Sequence, residues 1–303
     1  MNTLAGPVSK NLGKDLLRNP TLLLVSSGIL VGLSFPLAKI ANEQTIPASL
    51  WVAINSLGAS LALLVILLRN KNFRIFKKRE FRYTAIAGPL TFAGPSMIVF
   101  IVVPEVGSAV SGVLFSLSPV FTALLARAAK LEKLSKNEII GILFGLCGAI
   151  GISVSQGRFV LVGEWLWLGL AMLLPVMLAA GNIYRSIDWP RGSPPELLAF
   201  WSHLIAFLVY SIYTLLSSIH LSELLNEQTT AVITAQLTIG AITAPLVFRL
   251  QLFGGPILLS QIGYIAAVTS VVLAVSFLGE YYPIASLISS CLVMVGIVIN
   301  LQK

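Results

Sequence analysis

Charge is scarce in this chain. Only 11% of its 303 residues are Asp, Glu, Lys or Arg and 56% are hydrophobic, whereas roughly a quarter of a soluble domain is charged. Mean hydropathy is +0.91, and a soluble globular fold is excluded. Acidic residues are the rarest charges: all twelve Asp and Glu fall in loops or at the ends of apolar runs. No carboxylate is therefore expected inside a membrane, which argues against proton exchange through an intramembrane Glu. The two cysteines, Cys147 and Cys291, sit in apolar runs with no partnering His or third Cys, so they read as packing residues rather than metal or redox groups. No Gly-Lys-Ser/Thr phosphate loop is present to hydrolyse ATP, no cofactor is expected, and no aromatic-interleaved basic face offers itself to nucleic acid. No loop exceeds about 15 residues, so function must reside among the apolar segments.

Those segments number ten: Leu22 to Ala41, Leu50 to Leu68, Tyr83 to Val103, Ser108 to Ala128, Ile139 to Val154, Trp165 to Tyr184, Leu197 to Leu216, Ala231 to Phe248, Pro256 to Leu278 and Ile284 to Leu301. Each is near the ~20 residues a helix needs to cross a bilayer. Read as ten spans, they put eighteen of the twenty Lys and Arg on one face. These are Lys10, Lys14 and Arg18; Arg69, Lys71, Arg74, Lys77, Lys78, Arg79 and Arg82; Arg127, Lys130, Lys133 and Lys136; and Arg185, Arg191, Arg249 and Lys303. Only Arg158 lands opposite and only Lys39 lies within a span. The bias makes that face cytoplasmic and places both termini there. Residues 1–20 form a basic cytoplasmic segment, and the run after them is too long for a cleaved signal peptide. A multi-pass protein of the plasma (inner) membrane is expected, with anionic headgroups meeting Arg69, Lys71, Arg74, Lys77, Lys78, Arg79 and Arg82.

An internal repeat appears when the segment from Gly107 is laid without gaps on that from Gly255. It pairs Val120 with Val268, Leu125 with Leu273, Ala126 with Ala274, Glu132 with Glu280, Ile140 with Ile288 and Gly148 with Gly296. Glu132 sits among Lys130, Lys133 and Lys136, whereas Glu280 is followed by Tyr281, Tyr282 and Pro283. The two copies thus face opposite sides, as duplication of an odd number of spans requires.

The segments "GSAVSGVLFSLSPVFTALLARAAKLEKLSKNEIIGILFGLCGAIGI" (107–152) and "GGPILLSQIGYIAAVTSVVLAVSFLGEYYPIASLISSCLVMVGIVI" (254–299) resemble the fourth-to-fifth and ninth-to-tenth spans of EamA-type permeases, within the drug/metabolite transporter superfamily. "GILVGLSFPLAK" (28–39) is similar to the opening helix of that family. The resemblance covers essentially the whole chain. It implies an all-α integral membrane fold of ten transmembrane helices in two inverted five-helix repeats, 21–155 and 163–303. Where the first repeat of the family reads Gly-Glu, this chain has Leu131 and Glu132, while Gly279 and Glu280 keep the pair.

Small residues let membrane helices approach closely, so Gly28, Gly32 and Pro36, and likewise Gly141, Gly145 and Gly148, are expected at helix contacts. Pro89, Pro95, Pro119, Pro175 and Pro245 free backbone groups that a cavity can satisfy. A cavity bordered by the third, fourth, eighth and ninth spans follows, and the resemblance implies the same. The polar residues within spans mark a candidate substrate pathway: Lys39, Asn55, Ser116, Asn182, His203, Gln236, Gln261 and Tyr264, together with Pro119. Gln261 and Tyr264 share a helix face, and Ser116 is the repeat partner of Tyr264. Lys39 lies one turn from the outer end, where snorkelling competes with ligand contact. His203 is placed to relay protons or simply to hydrogen-bond. With Lys39 the one deep cation, a nucleotide sugar or sugar phosphate is disfavoured. A permease exporting a small neutral or zwitterionic metabolite, such as an amino acid, by alternating access is the leading expectation. A channel, scramblase or non-transporting assembly subunit is the alternative; an intramembrane enzyme is remote, because His203 and His220 lie far apart with no acidic cluster. A homodimeric state is left open.

Overall fold

Asn19 opens the first helix by accepting hydrogen bonds from the backbone N–H of Thr21 and Leu22, with Pro20 behind it as a first helical residue that needs no donor. The computed structural model describes residues 19–131, 135–155, 165–217, 226–279 and 283–301. Glu132, Glu280, Arg158, His220 and the charges of residues 1–18 lie outside the described residues, so the expected sidedness of the two glutamates does too.

Every element among the described residues is helical. The helices are α1 (Pro20–Glu43), α2 (Ala48–Arg69), α3 (Lys78–Gly88), α4 (Gly94–Val106), α5 (Ser108–Phe115) and α6 (Ser118–Ala128). They continue as α7 (Lys136–Ser155), α8 (Trp165–Ile187), α9 (Pro195–Leu216), α10 (Glu227–Ser260), α11 (Ile262–Leu278) and α12 (Ile284–Leu301). Among the described residues six helical segments are long and apolar enough to cross a membrane; Ile262–Leu278 is a shorter apolar helix. The protein is a multi-pass membrane protein.

The prolines act where the sequence places them, each in its own way. Pro89 and Pro95 bracket a π-helical turn, Pro89–Ala93, that joins α3 to α4 and is closed by the Gly94 N–H donating to the Pro89 carbonyl. Such a turn takes up the bond that Pro95 cannot donate. Pro119 starts α6 after a break at Ser116 and Leu117. Pro175 and Pro245 remain inside α8 and α10.

Two joints are tighter than loops. Between α4 and α5 the chain turns on Gly107 (φ 87°, ψ 158°), and within the long α10 on Gly255 (φ 72°, ψ −178°). Both conformations belong to a region that is essentially glycine's alone.

Packing is by close backbone approach. A Cβ added to Gly28 would stand 2.5 Å from Cβ of Ile265, and one on Gly32 2.5 Å from Cβ of Thr269, so the α1 stripe seats α11. Gly296 of α12 is pressed against the backbone of Gly141 and Gly145. Further pairs are α2 with α9 and with α10, α1 with α10, α8 with α4 and with α6, and α3 with α9. Cys147 and Cys291, expected as packing residues, are instead exposed on α7 and α12. Their flanking runs are apolar enough to face lipid on that side, so hydropathy alone does not separate the two environments.

Candidate functional site

The helices line a cavity of about 150 Å³. Its wall comes from α1 (Val31, Ser34, Phe35), α2 (Trp51, Asn55), the π-turn and α4 (Thr91, Phe92, Pro95, Ser96), α5 and α6 (Phe115, Ser118), α8 (Leu178, Asn182, Arg185), α9 (His203), and α10 with the start of α11 (Gln236, Thr243, Val247, Ile262). The wall therefore includes the third, fourth, eighth and ninth spans of the sequence reading and also α1, α2, α8 and α9.

Aromatic rings make the apolar part. Phe35 meets Phe115 edge to face at 5.7 Å, Phe92 stacks on Phe248 at 5.4 Å, and the His203 ring lies 4.5 Å from that of Phe92. The π-turn carries Phe92 and so sets the direction of this ring. Amides supply the polar part: Gln236 Nε2 donates to Asn55 Oδ1 at 3.0 Å, leaving Gln236 Oε1 without a partner. The two residues come together because Gly240 presses against the backbone of Asn55 and Gly58 against that of Leu237.

Of the residues the sequence singles out, Asn55, Asn182, His203 and Gln236 line this cavity. Ser116, Pro119, Gln261 and Tyr264 are buried outside its wall, and Lys39 is half-buried toward the end of α1. Tyr264 packs under Gly145, and its hydroxyl donates to the Ile142 carbonyl at 3.4 Å. Neither ring nitrogen of His203 has a hydrogen-bond partner.

Arg185 overturns part of the sequence reading, which puts it in a cytoplasmic loop and leaves Lys39 as the one cation within a span. The helix runs on past Tyr184 to Ile187, and Arg185 is 1% exposed in the cavity wall. Its guanidinium carbon lies 4.2 Å from the Phe248 ring centroid and 5.5 Å from that of Phe92. Hydropathy ends a span at a charge, whereas burial here depends on rings contributed by two other segments.

Next to Arg185, the start of α3, just after the basic α2–α3 connection, is tied to the end of α8 and the connection after it. Tyr83 stacks on Tyr184 and meets Trp189 edge to face. Arg82 donates to both carboxylate oxygens of Asp188 at 2.8 and 3.0 Å, and the Tyr184 hydroxyl adds a bond of 2.8 Å. Arg249 pairs with Glu196 across α10 and α9. Arg74 forks onto Glu80, which also accepts from the Lys77 N–H and the Ser193 hydroxyl. Glu80 is thus buried yet fully engaged at the first turn of α3. The fork onto Glu80 raises the Arg74 guanidinium above its ordinary pKa.

Comparison with known proteins adds three findings. The EamA-like transporter family matches residues 19–154. An uncharacterized protein of Methanocaldococcus jannaschii is 31% identical over 134 residues, which are 44% of this chain and 94% of that protein. A crystal structure described simply as that of a protein superposes with a TM-score of 0.71 over 94% of this chain and 98% of its own, at 17% identity, which establishes a shared fold.

Proposed function

This chain belongs to the EamA-like transporter family, and from that premise we propose that it is a secondary transporter moving a small neutral or zwitterionic metabolite by alternating access. The observation that carries the reading is the cavity, whose wall mixes aromatic rings with amides and draws on helices from both halves of the chain. Export from the cytoplasm across the plasma (inner) membrane is the direction proposed, with Arg69, Lys71, Lys77 and Lys78 exposed for anionic headgroups.

Two inverted halves, 21–155 and 163–303, are proposed as the moving units. The contact pattern supports this. Exchanging α1 with α8, α2 with α9, the α3–α4 segment with α10, α5–α6 with α11 and α7 with α12 maps the pairs onto one another. The contacts of α1 with α10 and α11 become those of α8 with α4 and α6, while α2·α9 and α7·α12 map onto themselves. The joints at Gly107 and Gly255, paired by the repeat, share a backbone conformation. Such halves, related about the membrane plane, are what alternating access around one site requires.

Reconstitution into liposomes tests the proposal. Saturable uptake and counterflow of a labelled amino acid are expected, and single cysteines placed at 132 and 280 should react with an impermeant reagent from opposite sides. A linear, non-saturating flux would identify a pore instead. No movement above empty vesicles, with no metabolite raising the thermal midpoint, would overturn the transporter reading.

A further inference from the structure

Arg185 keeps its charge, because a guanidinium is not deprotonated in proteins. Among the described residues the carboxylates that form ion pairs are Glu80, Asp188 and Glu196, and they engage Arg74, Arg79, Arg82 and Arg249. None pairs with Arg185. The faces of Phe92 and Phe248 recover only part of what burying an ion costs. A charge kept inside a membrane protein against such a penalty is a functional group by default.

The unmet bonds are specific. Nε and Nη2 of Arg185 have no hydrogen-bond partner. They are the adjacent, parallel donors of one guanidinium edge, the edge that the two oxygens of a carboxylate match. His203, whose ring nitrogens are also unpartnered, lies against the same Phe92 ring. The Tyr83 hydroxyl stands close enough to the guanidinium to interact with it, but the two do not complete a hydrogen bond of good geometry. Unmet polar atoms, the guanidinium donors foremost, therefore gather at one end of a cavity whose remaining wall sets the rings of Phe35, Trp51, Phe92 and Phe115 among aliphatic and small polar side chains.

We propose that Arg185 is the carboxylate anchor of the substrate site, and that the substrate is a small organic monocarboxylate, either a simple acid or the acid group of an amino acid. The carboxylate sits on the Nε–Nη2 edge, and the apolar body lies along Phe92, Phe35 and Phe115. One guanidinium balances one negative charge, so a dianionic phosphate is left half-neutralised. A volume of about 150 Å³ matches the engineered cavities that take up benzene, which limits the body to about one ring or a branched chain. The proposal rests on the transport reading and specifies its substrate by the acid group: an amino acid stays within the zwitterionic class, whereas a simple acid, an anion at neutral pH, would replace it.

The test uses the full-length protein, purified and in proteoliposomes, with acids and their amides as probes: 3-phenylpropionate, L-phenylalanine and L-leucine against 3-phenylpropionamide, L-phenylalaninamide and L-leucinamide. At least one acid is expected to raise the thermal midpoint and to be carried saturably, while its amide does neither. Arg185→Gln should raise KM for that acid about tenfold or more, the scale of losing a charge-assisted fork. Without ligand, its thermal midpoint should stay level or rise. Arg185→Lys keeps the charge without the fork, and so should recover only part of the affinity. Preference for L-phenylalanine over 3-phenylpropionate identifies an amino-acid site, and the reverse a simple-acid site; both support the anchor. Amides that stabilise and move as well as acids, or an Arg185→Gln protein with unchanged KM, overturn the anchor while transport stands. Acids that bind through Arg185 but never move support the anchor and sink the transport reading. If no probe binds or moves, both fall.

Discussion

Gly58 and Gly240 are the residues on which the meeting of α2 and α10 depends, because each faces backbone of the other helix rather than a side chain that can swing aside. Gly58→Val should therefore lower stability by about 1–3 kcal/mol, the usual scale of overpacking, and disturb the Asn55–Gln236 bond beside it. Gly169 has open space where its Cβ would stand, so Gly169→Ala should be neutral or slightly stabilising. Thermal melts of the two variants in detergent provide the comparison. The sequence reveals this level unevenly. Gly28 and Gly32 announce themselves by a spacing of four as a helix contact, while α11 as the partner emerges only from the structure. Gly58 is a solitary glycine in an apolar run, where spacing carries no signal. Arg185 is obscured for a related reason: a rule that reads charge as a span boundary cannot see a cation that rings from distant segments have buried.

Two joints between elements share one backbone conformation, at Gly107 and at Gly255. Alanine at Gly107 or Gly255 would hold φ near 87° or 72°, where an L side chain is strained by about 1–3 kcal/mol. Gly107→Ala and Gly255→Ala are expected to lower the thermal midpoint by similar amounts, and the double variant by nearly their sum, since separated sites add. A large drop for one alone would mean that the joints are not equivalent. The gap-free alignment pairs these two glycines, so the sequence itself supplies the proposal that the joints correspond. The form of the joint is not. The sequence reading sets residues 249–255 aside as a connection, whereas helix continues through them and resumes to Ser260 after a single irregular residue. The π-turn is also hidden, because Pro89 and Pro95 announce a disturbance without saying which hydrogen-bond register resolves it.

In the molecule as a whole, polar groups of the basic face, Arg82, Tyr184 and Asp188, bind the α8 end to α3 beside the Arg185 end of the cavity. Burial would raise the Asp188 carboxyl, but the Tyr184 hydroxyl and the Arg82 guanidinium outweigh it and hold the group below its ordinary range. A depressed folded value contributes stability above the unfolded pKa of about 4 and loses it as pH falls through the folded one. Asp188→Asn should therefore melt slightly below the parent protein between about pH 5 and 8, and the gap should close at pH values below about 4. A gap that persists in strong acid would show that this contact does not depend on the ionised carboxylate. The one-residue joints have a mechanical consequence for any opening of this face. A single glycine offers two torsions and no slack, so tilting α4 drags α5 with it, and the two parts of α10 swing as one bent arm. The play for such a swing must then be stored in the longer connections, 70–77 and 188–194, where the chain has length to give.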